Sequence, residues 1–298
     1  MKKTVFTGAA TAVVTPFGRD SGVDLDTMGK LIDFNINNGI AAIAVCATTG
    51  ESPTLSDSEK RRVISYAVRH VDGRVPVIAG TGSNDTAHVL GLARFAAEEG
   101  ADAQLVVTPY YNKTTQKGLA EHYEYIADRT DLPIILYNVP SRTGMNILPQ
   151  TYRRLSLHPN IVGVKEASGD VAAAVRIKAM CGDGLDLYSG DDSLITALLA
   201  VGAKGVISVL SNVTPDAVSR MCRLWSEGRQ GESTALQIRY SELIDALFAE
   251  TNPIPVKQAL RLIGLDCGGC RMPLCEPEKK TTEQLSHALA GLGLIPKQ

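Results

Sequence analysis

The chain of 298 residues is 44% hydrophobic and 21% charged, and its 30 basic side chains nearly balance 32 acidic ones. A net charge of −2 leaves no broad positive field to hold nucleic acid or an anionic membrane. Aromatic residues, at 5%, are too few for stacking platforms on single-stranded nucleic acid. No apolar run approaches the roughly 18 residues that span a bilayer. These features predict a globular protein with a large core that binds neither nucleic acid nor membrane.

The opening residues predict no secretory leader. Met1-Lys2-Lys3 is followed by Thr7, Gly8 and Pro16 rather than by a leucine-rich block, so a β-strand is the preferred interpretation. Six cysteines in a chain of this length are typical of free thiols rather than of a disulfide framework. Both features indicate a cytoplasmic protein.

Short runs rich in Val, Ile and Ala recur along the chain, and each is followed by a polar or glycine-bearing loop and then by a helical pattern. The runs are apolar on both faces, as expected for parallel strands buried on both sides. Eight such runs are present: Ala9–Pro16, Ala42–Thr48, Pro76–Gly80, Ala103–Thr108, Pro133–Tyr137, Ile161–Lys165, Leu185–Ser189 and Gly205–Val209. Eight βα units in series predict a closed (β/α)8 barrel. A doubly wound sheet is the alternative, but no Gly-x-Gly-x-x-Gly turn follows any run.

Helix boundaries also follow from the sequence. Asp24 is a predicted N-cap, and Ser56 with Glu59 matches a capping box. Gly100 is a predicted left-handed helix end. After Asn212 the strand patterns stop, and helices are predicted at Pro215–Gly228, Glu232–Glu250, Pro255–Leu262 and about Thr282 to Ala290. We therefore divide the chain into a barrel at residues 1–222, which carries the active site, and a helical region at residues 223–298 packed on it.

Lys165 is the sharpest candidate for chemistry, because it ends a predicted strand and barrel active sites lie at strand ends. Ile161, Gly163 and Lys165 share one face by the two-residue period. If that face points inward, the amine is desolvated and its neutral form can attack a carbonyl, with Gly163 leaving room for the side chain. The alternative is a lysine that extends out of the barrel mouth into solvent.

Other strand ends offer partners for Lys165. Tyr137 ends the preceding strand and can pass protons, although a core tyrosine with a satisfied hydroxyl is the more common situation. Arg142 could bind a carboxylate bidentately or be a solvated surface arginine. Thr48 and Thr49 offer hydroxyl and backbone N–H groups, although threonines are ordinary in a turn. Each signal is weak alone, but their convergence on one rim predicts a site.

These residues lie within ordered motifs that resemble the pyruvate-dependent class I aldolase superfamily typified by N-acetylneuraminate lyase, and within it most closely the dihydrodipicolinate synthase family. The match extends from Gly8 to about Pro277. Arg142 discriminates, because the sialic acid lyases lack an arginine in that loop. The motifs are Thr48-Thr49-Gly50-Glu51, Ala79-Gly80-Thr81-Gly82, Pro109-Tyr110-Tyr111-Asn112, Tyr137-Asn138-Val139-Pro140-Ser141-Arg142-Thr143-Gly144, Val164-Lys165-Glu166-Ala167, Ser189-Gly190-Asp191-Asp192, Gly205-Val206-Ile207-Ser208 and Asn252-Pro253-Ile254-Pro255-Val256-Lys257.

The resemblance implies a lyase that condenses pyruvate with L-aspartate 4-semialdehyde in lysine and diaminopimelate biosynthesis. Lys165 would form a Schiff base with pyruvate, and Tyr137 would relay protons as the adduct becomes an enamine. Thr48 would link Tyr137 to Tyr111, which would be lent across a subunit interface. The resemblance therefore implies a homotetramer, and at least a dimer.

The same resemblance assigns the substrate contacts. Thr49 N–H would hold the pyruvate carboxylate, Arg142 would hold the carboxylate of the semialdehyde, and the backbone carbonyl of Ile207 would line the pocket. Because a protonated imine is an electron sink, neither metal nor cofactor is required. One alternative is an aldolase for a sugar acid, N-acetylneuraminate or a 2-keto-3-deoxy acid, in which Arg142 has no obvious role. The other is a non-catalytic pyruvate-binding regulator, which no motif supports.

The tail contains a group of residues with zinc-type ligand chemistry. Cys267, Cys270, Cys275 and His287 could formally supply four ligands. A structural zinc site usually shows paired knuckles at tighter spacing, so we expect no metal and reduced thiols here.

Lysine-inhibited relatives bind lysine at a subunit interface with an acidic side chain and a histidine. Counted without gaps, Lys60 occupies the histidine position and His88 the acidic position, while Asn84 and Tyr110 still match. Two like charges about 4 Å apart repel by about 4 kcal/mol at an effective dielectric of about 20, before screening. The lost acid and the added cation both oppose a cationic ligand, so we expect insensitivity to lysine.

Overall fold

The computed structural model describes residues 2–296, so Met1 of the predicted barrel region and Lys297 and Gln298 of the predicted helical region lie outside the described residues. Eight parallel strands pair in chain order, and the last pairs with the first to close the sheet. The strands are β1 Gly8–Ala12, β2 Ala42–Val45, β3 Val77–Gly80, β4 Ala103–Val107, β5 Ile134–Asn138, β6 Ile161–Glu166, β7 Asp186–Ser189 and β8 Gly205–Ser208. The predicted (β/α)8 barrel is confirmed, and the doubly wound alternative is wrong.

Helices connect the strands and continue after β8. Within residues 2–296 none of them is both long and apolar enough to cross a membrane. The helices are α1 Leu25–Asn37, α2 Asp57–Val71, α3 Thr86–Glu98, α4 Gln116–Ala127, α5 Pro140–Thr143, α6 Pro149–Leu155, α7 Val171–Cys181, α8 Ile195–Val201, α9 Pro215–Ser226, α10 Gln230–Leu247, α11 Ile254–Leu262 and α12 Lys279–Leu292. Short 3-10 turns lie at Ser52–Thr54, Gly182–Gly184, Asp192–Leu194 and Leu210–Asn212.

The predicted helix boundaries agree with side-chain hydrogen bonds. Asp24 caps α1 by accepting from the backbone N–H of Thr27 at 3.0 Å. Ser56 and Glu59 form both bonds of the capping box at the start of α2. Gly100 follows α3 with a left-handed φ of 93°. These local signals act within a few residues and are therefore readable from the sequence.

β1 ends at Ala12 and is shorter than its apolar run Ala9–Pro16 predicts, although the Val13 N–H still donates to the Ala44 carbonyl of β2 at 2.9 Å. The backbone N–H of Val14 donates instead to the side-chain oxygen of Asn212 at 3.2 Å, and Asn212 donates back to the Ala12 carbonyl at 2.9 Å. An asparagine far along the chain thus ends the strand, and the local sequence carries no sign of it.

The barrel interior is filled at its N-terminal end. The ring of Phe6 stacks on Tyr188 with centroids 4.4 Å apart, and the Tyr188 hydroxyl donates to the Phe6 carbonyl at 2.8 Å. Lys2 Nζ donates to the carbonyls of Ser156 and Ile161, each at 2.6 Å. Because this end is packed, a ligand can approach the interior only from the C-terminal ends of the strands.

Candidate active site

Lys165 and Tyr137 stand side by side on adjacent strands. They are paired residues in the register of β5 and β6. Lys165 is 3% exposed and Tyr137 is 6% exposed. Lys165 Nζ lies 4.4 Å from the centroid of the Tyr137 ring. The amine therefore points into the barrel, and the alternative of a lysine that extends into solvent is wrong.

The strand face that carries Lys165 differs from the predicted one at its lower end. The pairing of β5 with β6 shifts at Ile134, which pairs with Ile161, whereas the next residue pairs with Gly163. Ile161 packs in the outer layer with helix residues such as Tyr152 and Leu155. Ile161 therefore does not share a face with Lys165, because a bulge breaks the two-residue period. In a strand buried on both faces, the apolar pattern cannot reveal this shift.

Gly190, rather than Gly163, leaves room for the lysine side chain. A Cβ at Gly190 would lie 2.9 Å from Cγ and 3.0 Å from Cε of Lys165. A Cβ at Gly163 would instead meet the Asp186 carbonyl and the Tyr188 ring, each at 3.1 Å. Our sequence prediction on Gly163 was wrong because it considered only the strand of the lysine. The available signal was the glycine that directly follows the neighbouring strand β7.

The carboxylate of Glu166, next to Lys165, anchors the end of β6 on the outer side of the barrel. It accepts from the Tyr152 hydroxyl at 2.9 Å, from Asn138 Nδ2 at 3.0 Å and from the Ser168 N–H at 2.8 Å. Burial and then the Glu166 charge hold the pKa of Tyr152 well above its usual value. The ends of β5 and β6 are thus joined by a buried polar network, which fixes the backbone that carries Tyr137 and Lys165.

A cavity of about 360 Å³ opens at this end of the barrel. Its lining contains five of the seven predicted site residues, namely Thr48, Thr49, Tyr137, Arg142 and Lys165. Residues beyond position 222 contribute as well: Ile244, Asp245, Phe248 and Asn252. The helical region is therefore part of the cavity wall. The predicted division assigned the active site to the barrel and did not include this contribution.

Two predicted site residues are not brought into this cavity. Ile207 is fully buried in the barrel interior and is absent from the cavity lining. Tyr111 is 93% exposed, and its backbone is left-handed with φ of 66°. Among the described residues of one chain, no hydrogen bond joins Thr48 to Tyr111 or to Tyr137.

Asn252 connects Thr49 with Arg142. Its Nδ2 donates to Thr49 Oγ1 at 3.0 Å, and its backbone carbonyl accepts from Arg142 Nη2 at 3.2 Å. Arg142 is exposed and also lines the cavity, so its guanidinium is both solvated and available to a ligand. Sequence reasoning gave Asn252 no role, and the only signal was its place at the start of the Asn-Pro motif before α11.

A second cavity of about 240 Å³ lies against the same wall and shares Thr48, Tyr137 and Arg142 with the first. Its lining includes Lys60 and Tyr110, two positions of the predicted interface cleft. His88, a third position of that cleft, is absent from the lining, and its Nε2 lies 3.6 Å from Asp57 Oδ1.

The cysteines of the tail differ widely in exposure. Cys267 is buried, Cys270 is half-buried and Cys275 is exposed, and all of them are free thiols. Burial raises the pKa of Cys267 to about 11 and that of Cys270 to about 12, which keeps both thiols protonated and unreactive. His287 Nε2 lies 3.5 Å from Glu242 Oε1. Within residues 2–296, no three His, Cys, Asp or Glu side chains form a group that could hold a metal ion.

Comparison with known proteins identifies the family. The sequence model of the dihydrodipicolinate synthetase family matches residues 5–291. The chain belongs to this family. The 4-hydroxy-tetrahydrodipicolinate synthase of Acetivibrio thermocellus is 48% identical over 295 residues, which cover 99% of this chain and 100% of that protein. The resemblance inferred from the motifs is confirmed, and the chain is an enzyme of this family.

Two solved structures extend the comparison. A structure described as the first monomeric dihydrodipicolinate synthase variant is 42% identical and covers 98% of each chain with a TM-score of 0.95. The dihydrodipicolinate synthase of Cyanidioschyzon merolae with lysine bound is 39% identical and covers 98% of this chain and 100% of that chain, also with a TM-score of 0.95. The family fold therefore extends over nearly the whole chain.

Proposed function

We propose that the chain catalyses the 4-hydroxy-tetrahydrodipicolinate synthase reaction, the condensation of pyruvate with L-aspartate 4-semialdehyde in lysine and diaminopimelate biosynthesis. The observation that carries this proposal is the buried Lys165 amine, 4.4 Å from the Tyr137 ring centroid, in a cavity at the C-terminal end of the barrel. The names of the full-length relatives support it. The free thiols support a reducing, cytoplasmic location.

The chemistry begins when the Lys165 amine forms a C=N bond with C2 of pyruvate and releases water. The protonated imine withdraws electrons, so the methyl group loses a proton to the relay at Tyr137 and the adduct becomes an enamine. The enamine carbon then bonds to the aldehyde carbon of the semialdehyde, whose oxygen takes up a proton. The amino group of the semialdehyde finally displaces Lys165 from C2, which closes the ring and frees the enzyme.

The other predicted residues have distinct proposed roles. Tyr137 relays protons to and from the adduct that Lys165 forms with pyruvate. Thr48 lines the same cavity wall. Thr49 N–H holds the pyruvate carboxylate, and Arg142 holds the carboxylate of the semialdehyde. The backbone carbonyl of Ile207 is the one proposed contact without support from the cavity lining, which does not include Ile207.

Reductive trapping tests the covalent step. Incubation with pyruvate and borohydride should attach one pyruvate-derived group per chain, on the peptide that contains Lys165, and Lys165→Met should abolish it. Labelling of another lysine would contradict the assignment, and no labelling at all would favour the non-catalytic regulator. Addition of aspartate semialdehyde, N-acetylneuraminate or a 2-keto-3-deoxy acid then distinguishes the synthase from a sugar-acid aldolase, because only the synthase consumes the semialdehyde.

Arg142→Ala tests the second substrate site. We expect kcat/KM for the semialdehyde to fall by about 10- to 150-fold, which corresponds to a charged hydrogen bond of about 1.5–3 kcal/mol. A larger loss would require a buried charge pair, and Arg142 is exposed. Schiff-base formation with pyruvate should remain. Arg176→Ala, at an exposed arginine paired with Asp170, is the matched control and should change neither step.

We propose that the active form is a homotetramer in which Tyr111 completes the site of a neighbouring subunit. Its support is the exposed aromatic side chain, carried by a left-handed residue directly after the Tyr110 that lines the second cavity. Mixed oligomers of Lys165→Met and Tyr111→Phe subunits test this. In such a pair, the Tyr111→Phe subunit supplies Lys165 and its Lys165→Met neighbour supplies Tyr111, so one site has both native residues. The activity of the mixed oligomer should therefore exceed that of either variant alone. Mixed oligomers without this gain would contradict the proposal, as would a fully active monomer.

We also propose that lysine does not inhibit the enzyme. Lys60 brings a cation to the second cavity, and no carboxylate from residues 2–296 lines it. Initial rates across a lysine titration should stay constant, and inhibition at submillimolar lysine would contradict the proposal. The double variant Lys60→His with His88→Glu should gain lysine inhibition, because it reverses both charge changes.

A further inference from the structure

A buried ion pair joins the turn after β2 to the C-terminal helical region. Glu51 Oε1 and Lys257 Nζ lie 2.6 Å apart, and their side chains are 1% and 3% exposed. Lys257 Nζ also donates to the Gly269 carbonyl at 2.8 Å and lies 4.2 Å from the centroid of the Phe17 ring. The other carboxylate oxygen of Glu51 accepts from the Arg271 N–H at 2.9 Å. A buried pair of this kind is a poor source of net stability, because desolvation offsets the attraction. Its position suggests another role.

The turn that Glu51 ends is the one that carries Thr48 and Thr49. The Glu51 N–H donates to the Thr48 carbonyl at 3.0 Å, and Thr15 Oγ1 donates to the Gly50 carbonyl at 2.7 Å. Glu51 itself has a left-handed φ of 53°, which a non-glycine residue adopts at a cost and keeps only where its surroundings enforce it. The ion pair and the Arg271 N–H hold both carboxylate oxygens of this residue.

The other end of the ion pair leads back to the same site. Lys257 lies on α11, which begins two residues after Asn252. Asn252 donates to Thr49 and accepts from Arg142. The segment 252–257 therefore contacts both proposed carboxylate-binding residues at its start and Glu51 at its end. Neither Glu51 nor Lys257 lines the cavity.

We propose that the Glu51–Lys257 pair is a positioning device that fixes the turn of Thr48 and Thr49 against the segment 252–257. It sets the orientation of Thr49 and, through Asn252, of Arg142 toward the two substrate carboxylates. The inference rests on the proposed function. Both members are positioning residues, because they act through Thr49 and Asn252 and contact no substrate.

The double variant Glu51→Gln with Lys257→Met tests this, because it removes both charges and leaves no unpaired ion in the core. We expect KM for pyruvate and for the semialdehyde to rise about tenfold, while kcat changes less than about threefold and Lys165 is still trapped at saturating pyruvate. Glu51→Asp keeps the charge but shortens the side chain, and it should raise both KM values about threefold.

Glu59→Gln is the control. It also removes an ion pair between the tail and the barrel, with side chains 19% and 18% exposed, but it keeps Arg271, whose backbone N–H donates to Glu51 and whose guanidinium donates to the Thr54 carbonyl. It should lower the melting temperature without moving either KM.

The outcomes separate the two proposals. Unchanged KM values in folded Glu51→Gln with Lys257→Met would overturn the positioning role even if the melting temperature falls. If that variant does not fold, unchanged KM values in Glu51→Asp would overturn it instead. A wild-type protein that does not condense the two substrates would overturn the proposed function itself, whatever the variants do.

Discussion

The two sides of the barrel mouth place their side chains by different means. On the strand side, Tyr137 and Lys165 are paired residues of β5 and β6, so the register of the sheet sets their separation. On the turn side, Thr49 lies in a loop, and its hydroxyl bonds to Asn252, a residue 203 positions later. The strand side is built from neighbouring backbone, whereas the turn side depends on the tail returning to the barrel.

This difference separates reactivity from binding. A change beside Lys165 alters the distance between reacting groups and should therefore change kcat. A change in the tail shifts groups that hold carboxylates and should therefore change KM or stability. The predictions below test the two sides separately.

Tyr137→Phe should have the largest effect, because it removes a proton donor and acceptor from the strand side. We expect kcat to fall at least about 100-fold, the usual range for the loss of a general acid–base group. Tyr188→Phe is the matched control, since the Tyr188 hydroxyl donates to the Phe6 carbonyl inside the barrel. The control should lower stability and leave kcat within about threefold of wild type. If kcat falls equally in both variants, Tyr137 is only a core aromatic residue.

Gly190→Ala should have a smaller effect on the same side. The new Cβ would lie 2.8 Å from Ala167 Cβ and 2.9 Å from Lys165 Cγ, so the backbone at Ala167 and the lysine side chain must both shift. We expect the rate of Schiff-base formation to fall about tenfold, a barrier change of about 1.4 kcal/mol. Single-turnover trapping with pyruvate measures this rate directly.

Gly163→Ala provides the comparison for Gly190→Ala. Its Cβ would meet the Asp186 carbonyl and the Tyr188 ring rather than the lysine. It should therefore lower the melting temperature with little change in the trapping rate. The opposite order, with trapping slowed by Gly163→Ala and not by Gly190→Ala, would restore the interpretation that we derived from the sequence alone.

The strand side was largely predictable from the sequence, whereas on the turn side only Thr48 and Thr49 were. Lys165 and Tyr137 were predicted because both end apolar runs, and strand ends converge in a barrel. Ile161 was assigned to the wrong face because a β-bulge leaves no trace where every position is apolar. Asn252 and Lys257 appeared only as parts of a motif, because their roles depend on contacts that no local pattern encodes.

On the turn side, we also predict a change in stability at low pH. Hydrogen bonds from Arg271, the largest cause, hold the pKa of Glu59 at about 2, below its ordinary value of 4.5. An acid whose pKa is lowered on folding stabilises the fold fully above the unfolded-state value. That contribution is lost as pH falls from 4.5 toward 2. At about 1.4 kcal/mol for each tenfold change in proton affinity, the upper limit of this contribution to the free energy of unfolding is about 3.5 kcal/mol, and partial solvent screening reduces it to about 1–2 kcal/mol.

Glu59→Gln tests this contribution through the free energy of unfolding measured between pH 7 and pH 2.5. The variant should be less stable than wild type at neutral pH, and the difference should shrink as the pH falls below 4.5, because wild type then loses the same contribution. Glu232→Gln is the matched control, since Glu232 also accepts two hydrogen bonds from an arginine, Arg229, but on an exposed surface. Water screens that pair, so its variant should follow the wild-type curve at every pH. If the free energies of unfolding of Glu59→Gln and wild type differ by the same amount at every pH in this range, Glu59 acts through packing alone. The tail would then be held to α2 by contacts other than the charge pair of Glu59 with Arg271.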